Sequence, residues 1–140
     1  MSADYFLDTN VFVYQLERLD ARKAAIADEL VRNGIARRTG CISFQVVQEC
    51  LSVALRKSEI ILDADEMRRY MQFVLTPMLQ IHSSSLLYYT ALDIQARYQF
   101  SFYDSLIVSA ALEAGCSYLY SEDMQHGQRI HNLTIENPFI

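Results

Sequence analysis

The strongest constraint on this chain is the order of its apolar segments. Short runs that read as buried strands alternate with longer segments of helical spacing along the whole length. "YFL" at 5–7, "GCIS" at 40–43, "MLQIH" at 78–82, "CSYLYS" at 116–121 and a weaker "LTIE" at 133–136 are the strands. Between them, apolar residues recur every three or four positions. The first two helical segments cover Val11 to Leu19 and Ala24 to Val31, with Asn33 and Gly34 as a stop. A third runs from Phe44 to about Lys57 behind a Ser43 cap. Asp63 and Glu66 form a capping box for a fourth, which Pro77 should end near Thr76. Serine-led segments at 83–99 and 101–115 complete the set, the last stopping at Gly115. No two strands are joined directly by an Asn-Gly or Asp-Gly dipeptide. Such an order predicts a mainly parallel sheet with helices on both faces, in a single domain over residues 1–140.

Composition narrows the class without choosing a function. At 140 residues, 51% hydrophobic and 21% charged, the chain can bury a full core with no disulfide or structural metal. Cys41, Cys50 and Cys116 are odd in number and form no CxxC pair, so they read as small core residues. The N-terminal "MSADYFLD" lacks the basic flank and apolar stretch of a signal peptide, and no run approaches the ~18 apolar residues that span a bilayer. A cytosolic protein with no membrane partner is expected. A net charge of −5 argues against simple electrostatic adhesion to nucleic acid, although "RNGIARR" at 32–38 is locally basic.

In parallel sheets, ligands bind beyond the carboxyl ends of the strands. Asp8 follows the first strand directly, and Asp123 follows "YLYS" closely. Glu49 falls in the second turn of the helix behind Ser43, and Asp104 in the first turn behind Ser101, so each can lean over the same edge. Each acid also has an ordinary structural role. Asp8 suits an N-cap, Asp104 complements a helix dipole, and Glu49 suits a solvated helix edge. Glu122 stands beside Asp123, and spacing does not decide which of them faces inward. Other chemistries fit less well. Lys23 and Lys57 come too early for a receiver-type phosphorylation site, no GxGxxG or GK pair supports a nucleotide loop, and His82, His126 and His131 do not share a zinc-binding face.

The blocks "FLDTNVFVY", "ISFQVVQE", "FSFYDSLIVSAALEAGC", "YLYSEDMQHG" and "IENPF" resemble, in order, those of the PIN domain, and most of all its bacterial VapC-type toxin ribonucleases. The resemblance implies a three-layer α/β/α sandwich and a metal-dependent endoribonuclease, the toxin of a toxin–antitoxin pair. It puts the family's acidic positions on Asp8, Glu49, Asp104 and Asp123, with Asn10 and Ser121 as neighbours holding waters or carboxylates. Tyr103 stands where the family often has Trp.

Hard oxygen ligands suit Mg²⁺ or Mn²⁺. On this reading Asp8 and Asp104 are the main ligands, Glu49 is a ligand or orients the attacking water, and Asp123 is a partial or second-metal ligand. RNA is the implied substrate, an antitoxin protein the implied partner, and a homodimer the common assembly. The alternative is a catalytically silent PIN-like module that binds RNA or protein.

Overall fold

The computed structural model describes residues 3–140; Met1 and Ser2, the start of the N-terminal stretch read above, lie outside it. Among the described residues, six strands form one sheet in the order β3-β2-β1-β4-β6-β5. They are β1 (Tyr5–Leu7), β2 (Gly40–Ser43), β3 (Leu79–Ile81), β4 (Tyr118–Tyr120), β5 (Arg129–Ile130) and β6 (Leu133–Glu136). All neighbouring pairs are parallel except β5 with β6.

Successive strand residues point to opposite faces, so the complete burial of both Phe6 and Leu7 requires cover on both sides of the sheet. All four residues of β2 are buried for the same reason. The helices supply that cover: α1 (Thr9–Glu17), α2 (Ala21–Ala36), α3 (Phe44–Arg56), α4 (Ala64–Tyr70), α5 (Thr76–Met78), α6 (Ser85–Tyr98) and α7 (Phe102–Glu113). The result is the three-layer α/β/α sandwich with a mainly parallel sheet. Among the described residues, no helix is long and apolar enough to cross a membrane. The three thiols are buried in the core, as their composition predicted.

Three local readings need correction. Helix α2 does not stop at Asn33 and Gly34 but runs to Ala36, with Gly34 buried inside it. Gly34 is there for contact: a Cβ on it would lie 3.2 Å from the Cα of Gly40 and 2.9 Å from Tyr5 Oη. The helical run after Asp63 also continues past Thr76. It passes through a π-helical turn at Met71–Leu75 into α5, where Pro77 sits in the first turn and its missing N–H costs little. Finally, β5 is a strand that the sequence pattern does not announce, because it has two residues and reaches β6 through a turn in which His131 takes a positive φ of 55°.

The caps follow sequence more closely. Asp63 and Glu66 make the full capping box, and the Ser84 and Ser101 hydroxyls accept from Leu87 N and Asp104 N. Ser43 begins α3 without a side-chain cap bond, and its buried Oγ has no partner among the described residues.

Candidate active site

Strand β1 lies near the middle of the sheet, with β2 and β3 on one side and β4 and β6 on the other. The chain therefore reverses its direction of travel across the sheet between β1 and β4, and the carboxyl ends of these two strands frame a crevice. A cleft of about 760 Å³ opens there, and Asp8, Glu49, Asp104 and Asp123 all line it. They arrive from four places: the end of β1, the second turn of α3, the first turn of α7 and the loop after β4.

Asp8 is the most constrained of the four. It is 5% exposed, and its backbone N donates to Tyr120 O at 3.0 Å, which ties it to the end of β4. As N-cap of α1, its Oδ1 accepts from Thr9 N at 2.7 Å, while Oδ2 accepts from Ser121 Oγ at 2.8 Å. Cap and site residue are thus one side chain. Burial raises its pKa to about 6; the bonds from Ser121 and Thr9 oppose the rise, and the charges of Glu49 and Asp104 add to it.

Glu49 is held by Thr9, whose Oγ1 donates to Glu49 Oε1 at 2.7 Å. Thr9 thereby serves both acids, through its backbone N–H and its hydroxyl. Sequence reasoning missed that role, and the only signal for it was a hydroxyl beside a strand-end acid. The Asp104 carboxyl is also pushed up, chiefly by burial, with the Ser101 side chain opposing and Asp123 reinforcing the shift.

The ambiguity between Glu122 and Asp123 resolves by geometry. Asp123 lines the cleft, whereas Glu122 turns toward the first two helices. There Glu122 accepts from Lys23 Nζ at 2.6 Å and from Tyr14 Oη. Burial raises the Glu122 carboxyl, but Lys23, Tyr14 and the nearby Asn10 side chain outweigh it and hold the group below its ordinary range. Of the two expected neighbours, Ser121 does grip Asp8, while Asn10 lines the cleft and bears on Glu122.

A further residue that sequence reasoning did not single out is Gln45. It is 5% exposed and lines the cleft, and its Nε2 donates to the Tyr103 carbonyl at 3.1 Å, bracing α3 against the first turn of α7. Its Oε1 is buried without a partner among the described residues. The three histidines stay outside the cleft lining, and His126 Nδ1 accepts from Asn137 N at 3.0 Å.

The donors around the cleft are carboxylate oxygens, which match Mg²⁺ or Mn²⁺ in hardness. Among the described residues, no three Asp, Glu, His or Cys side chains stand close enough together to hold a metal ion directly. The acids surround the cleft without closing into a cage. Mg²⁺ ordinarily retains several of its waters, so the donor set fits a hydrated cation better than a fully protein-bound one.

Comparison with known proteins agrees with this architecture. The PIN domain family matches residues 5–128. Among solved structures, VapBC2 from Rickettsia felis, bound to a promoter DNA fragment, is 19% identical with a TM-score of 0.62, over 94% of this chain and 96% of that one. VapC20 from Mycobacterium tuberculosis, a sarcin-ricin loop cleaving toxin, is 18% identical with a TM-score of 0.62, over 86% and 90%. The DNA-bound VapBC from Salmonella typhimurium is 16% identical with a TM-score of 0.66, over 96% and 97%. At these identities the likeness is one of fold. No curated protein matches the sequence. With the family match spanning most of the chain and the fold shared with VapC toxins, this protein belongs to the PIN domain family.

Proposed function

We propose that this protein is an endoribonuclease that requires Mg²⁺ or Mn²⁺ and acts as the toxin of a toxin–antitoxin pair in the cytosol. One observation carries the reading: four carboxylates from four separate elements line one cleft. Asp8 is buried there and raised toward neutrality by burial and by its acidic neighbours. Such an arrangement disfavours the ionised protein standing alone and favours a bound cation.

Asp8 and Asp104 would be the principal direct ligands, with Glu49 acting through a water of the cation and Asp123 as a partial or second-metal ligand. The cation would supply neutralising charge at the scissile phosphate and acidify a water. The chain's own residues do the rest. Ser121 and the Thr9 N–H fix the two Asp8 oxygens, the Thr9 hydroxyl orients Glu49, and Gln45 braces the turn that carries Asp104. Glu49, held through one oxygen, keeps its other oxygen for orienting a water at the phosphorus.

The similarity to toxin–antitoxin complexes supports an antitoxin as partner. A homodimer belongs to the same proposal, and light scattering of the purified protein tests it. The test of activity is cleavage of single-stranded RNA with Mn²⁺, with chelator, and by Asp104→Asn. Cleavage lost in both controls supports the reading, and cleavage that survives Asp104→Asn overturns the assignment.

A second reading has an observation in its favour: the acids do not converge into a direct metal cage. On that reading the chain is a PIN-like module that binds RNA or protein without cutting. Calorimetric titration of the metal-free protein with Mn²⁺, beside Asp8→Asn, separates the two. Saturable binding that the variant loses favours the nuclease.

A further inference from the structure

The cleft extends beyond the four acids. Along α3, Gln45, Gln48, Glu49, Ser52, Val53 and Arg56 line it, a spacing of three and four that makes one continuous helix face. Arg56 lies seven positions beyond Glu49, which is about 10 Å along a helix. The cleft is therefore acidic where the strands end and cationic where α3 ends, with the amide of Gln48 and the hydroxyl of Ser52 between.

The molecule's other basic groups make Arg56 stand out. The stretch at 32–38 closes α2 and precedes β2, so Arg37 and Arg38 lie at the amino edge of the sheet, opposite the acids. Lys57 lines the cleft but is taken up by an ion pair with Glu17. Lys23 is held by Glu122. Arg56 is exposed in the cleft and forms no ion pair among the described residues. In a chain of net charge −5, a strand of RNA approaching four carboxylates needs a cation of the protein's own nearby.

We propose that the cleft-facing stripe of α3 is the track for the RNA strand on one side of the scissile phosphate, and that Arg56 binds a neighbouring phosphate. The inference rests on the nuclease reading above. A planar guanidinium gives two parallel hydrogen bonds to a phosphate, which holds the strand in register as well as attracting it. The competing role for Arg56, offsetting the dipole at the end of α3, is purely structural. It predicts no change in substrate affinity.

The test uses the full chain and a fluorescein-labelled single-stranded oligoribonucleotide, with KM and kcat measured in Mn²⁺ and binding measured by anisotropy in the Asp104→Asn background. Arg56→Ala should raise KM about tenfold with kcat little changed, the signature of lost ground-state binding. The slope of log affinity against log salt should fall by about 0.7, one phosphate contact on a single strand. Arg56→Lys should restore the salt slope but only part of the affinity. Arg38→Ala, on the opposite edge, should change neither. If wild type cleaves while Arg56→Ala keeps its KM and salt slope, the track is wrong and the nuclease reading stands. An equal effect of Arg38→Ala also overturns it, since attraction is then diffuse. If folded wild type neither binds nor cuts RNA with Mn²⁺, the nuclease reading fails and the track fails with it.

Discussion

Ser121 Oγ donates a 2.8 Å hydrogen bond to Asp8 Oδ2, joining the residues that follow β4 and β1 across 113 positions of sequence. The bond lies at the switch point of the sheet, and it stabilises the ionised form of a carboxyl that burial works to neutralise. Which of these wins has a measurable consequence.

Burial wins, because the Asp8 pKa stands at about 6, above its ordinary 3.8. A carboxyl raised in the folded state favours folding fully below the unfolded pKa, and that favour is lost as pH rises through the folded value. The metal-free protein should therefore lose stability between about pH 4 and pH 6, by an amount on the order of 3 kcal/mol. Asp8→Asn removes the ionisation while keeping an acceptor for Thr9 N and a donor for Ser121 Oγ. In urea unfolding with chelator, the variant should be more stable than wild type at pH 8, by about 1–3 kcal/mol, and nearly equal at pH 4. A less stable variant at pH 8 would mean that the carboxylate is better satisfied than its burial implies.

Glu122 and Asp123 are adjacent but have separate tasks. Glu122→Gln keeps hydrogen-bonding capacity toward Lys23 and Tyr14, so Mn²⁺ affinity should stay within about twofold of wild type. Asp123→Asn removes a charge from the cleft lining and should weaken Mn²⁺ binding about tenfold or more. Calorimetry on both variants checks this, and equal losses would show that the loop after β4 presents both acids.

Gln45 separates stability from positioning. Gln45→Met deletes the bond to the Tyr103 carbonyl, worth about 1 kcal/mol, but also deletes the unpartnered buried Oε1, which costs a similar amount. Stability should change by less than about 1 kcal/mol. RNA cleavage should fall about tenfold to a hundredfold, because Asp104 directly follows Tyr103 in the turn that loses its brace. Thermal melts beside kcat measure the two effects, and a large melt shift with unchanged kcat would make Gln45 a core residue only.

How much of this was legible in advance depended on the range of the interaction. Strand-end acids could be read from sequence because "YFL" and "YLYS" each run directly into a polar stretch, and parallel strands put such residues on one edge. The choice between Glu122 and Asp123 could not, since it is made by Lys23 and Tyr14, 99 and 108 residues away. Thr9 was hidden for the same reason: its partner, Glu49, is 40 residues distant. Pro77 and Gly34 read as stops in sequence because their local tendencies are strong, while the structure uses Pro77 inside a first helical turn and Gly34 for packing.

The glycine contact gives the last prediction. A Cβ on Gly40 would lie 2.7 Å from Met78 Cε, 3.0 Å from Tyr5 Cε2 and 3.0 Å from the Cα of Gly34. Met78 can swing its terminal methyl aside, but the Gly34 Cα is backbone, and the Tyr5 ring is anchored by its hydroxyl on Leu30 O at 2.7 Å. Gly40→Ala should therefore push α2 off β2 and destabilise the fold by about 1–3 kcal/mol. Gly34→Ala meets similar crowding but gains up to about 1 kcal/mol of helix propensity, so it should cost less. Urea unfolding should rank wild type first, then Gly34→Ala, then Gly40→Ala. Both sites lie at the amino edge of the sheet, away from the acids, so Mn²⁺ affinity in the folded variants should match wild type. A Gly34→Ala protein as unstable as Gly40→Ala would mean that helix propensity gives no relief where the two backbones meet.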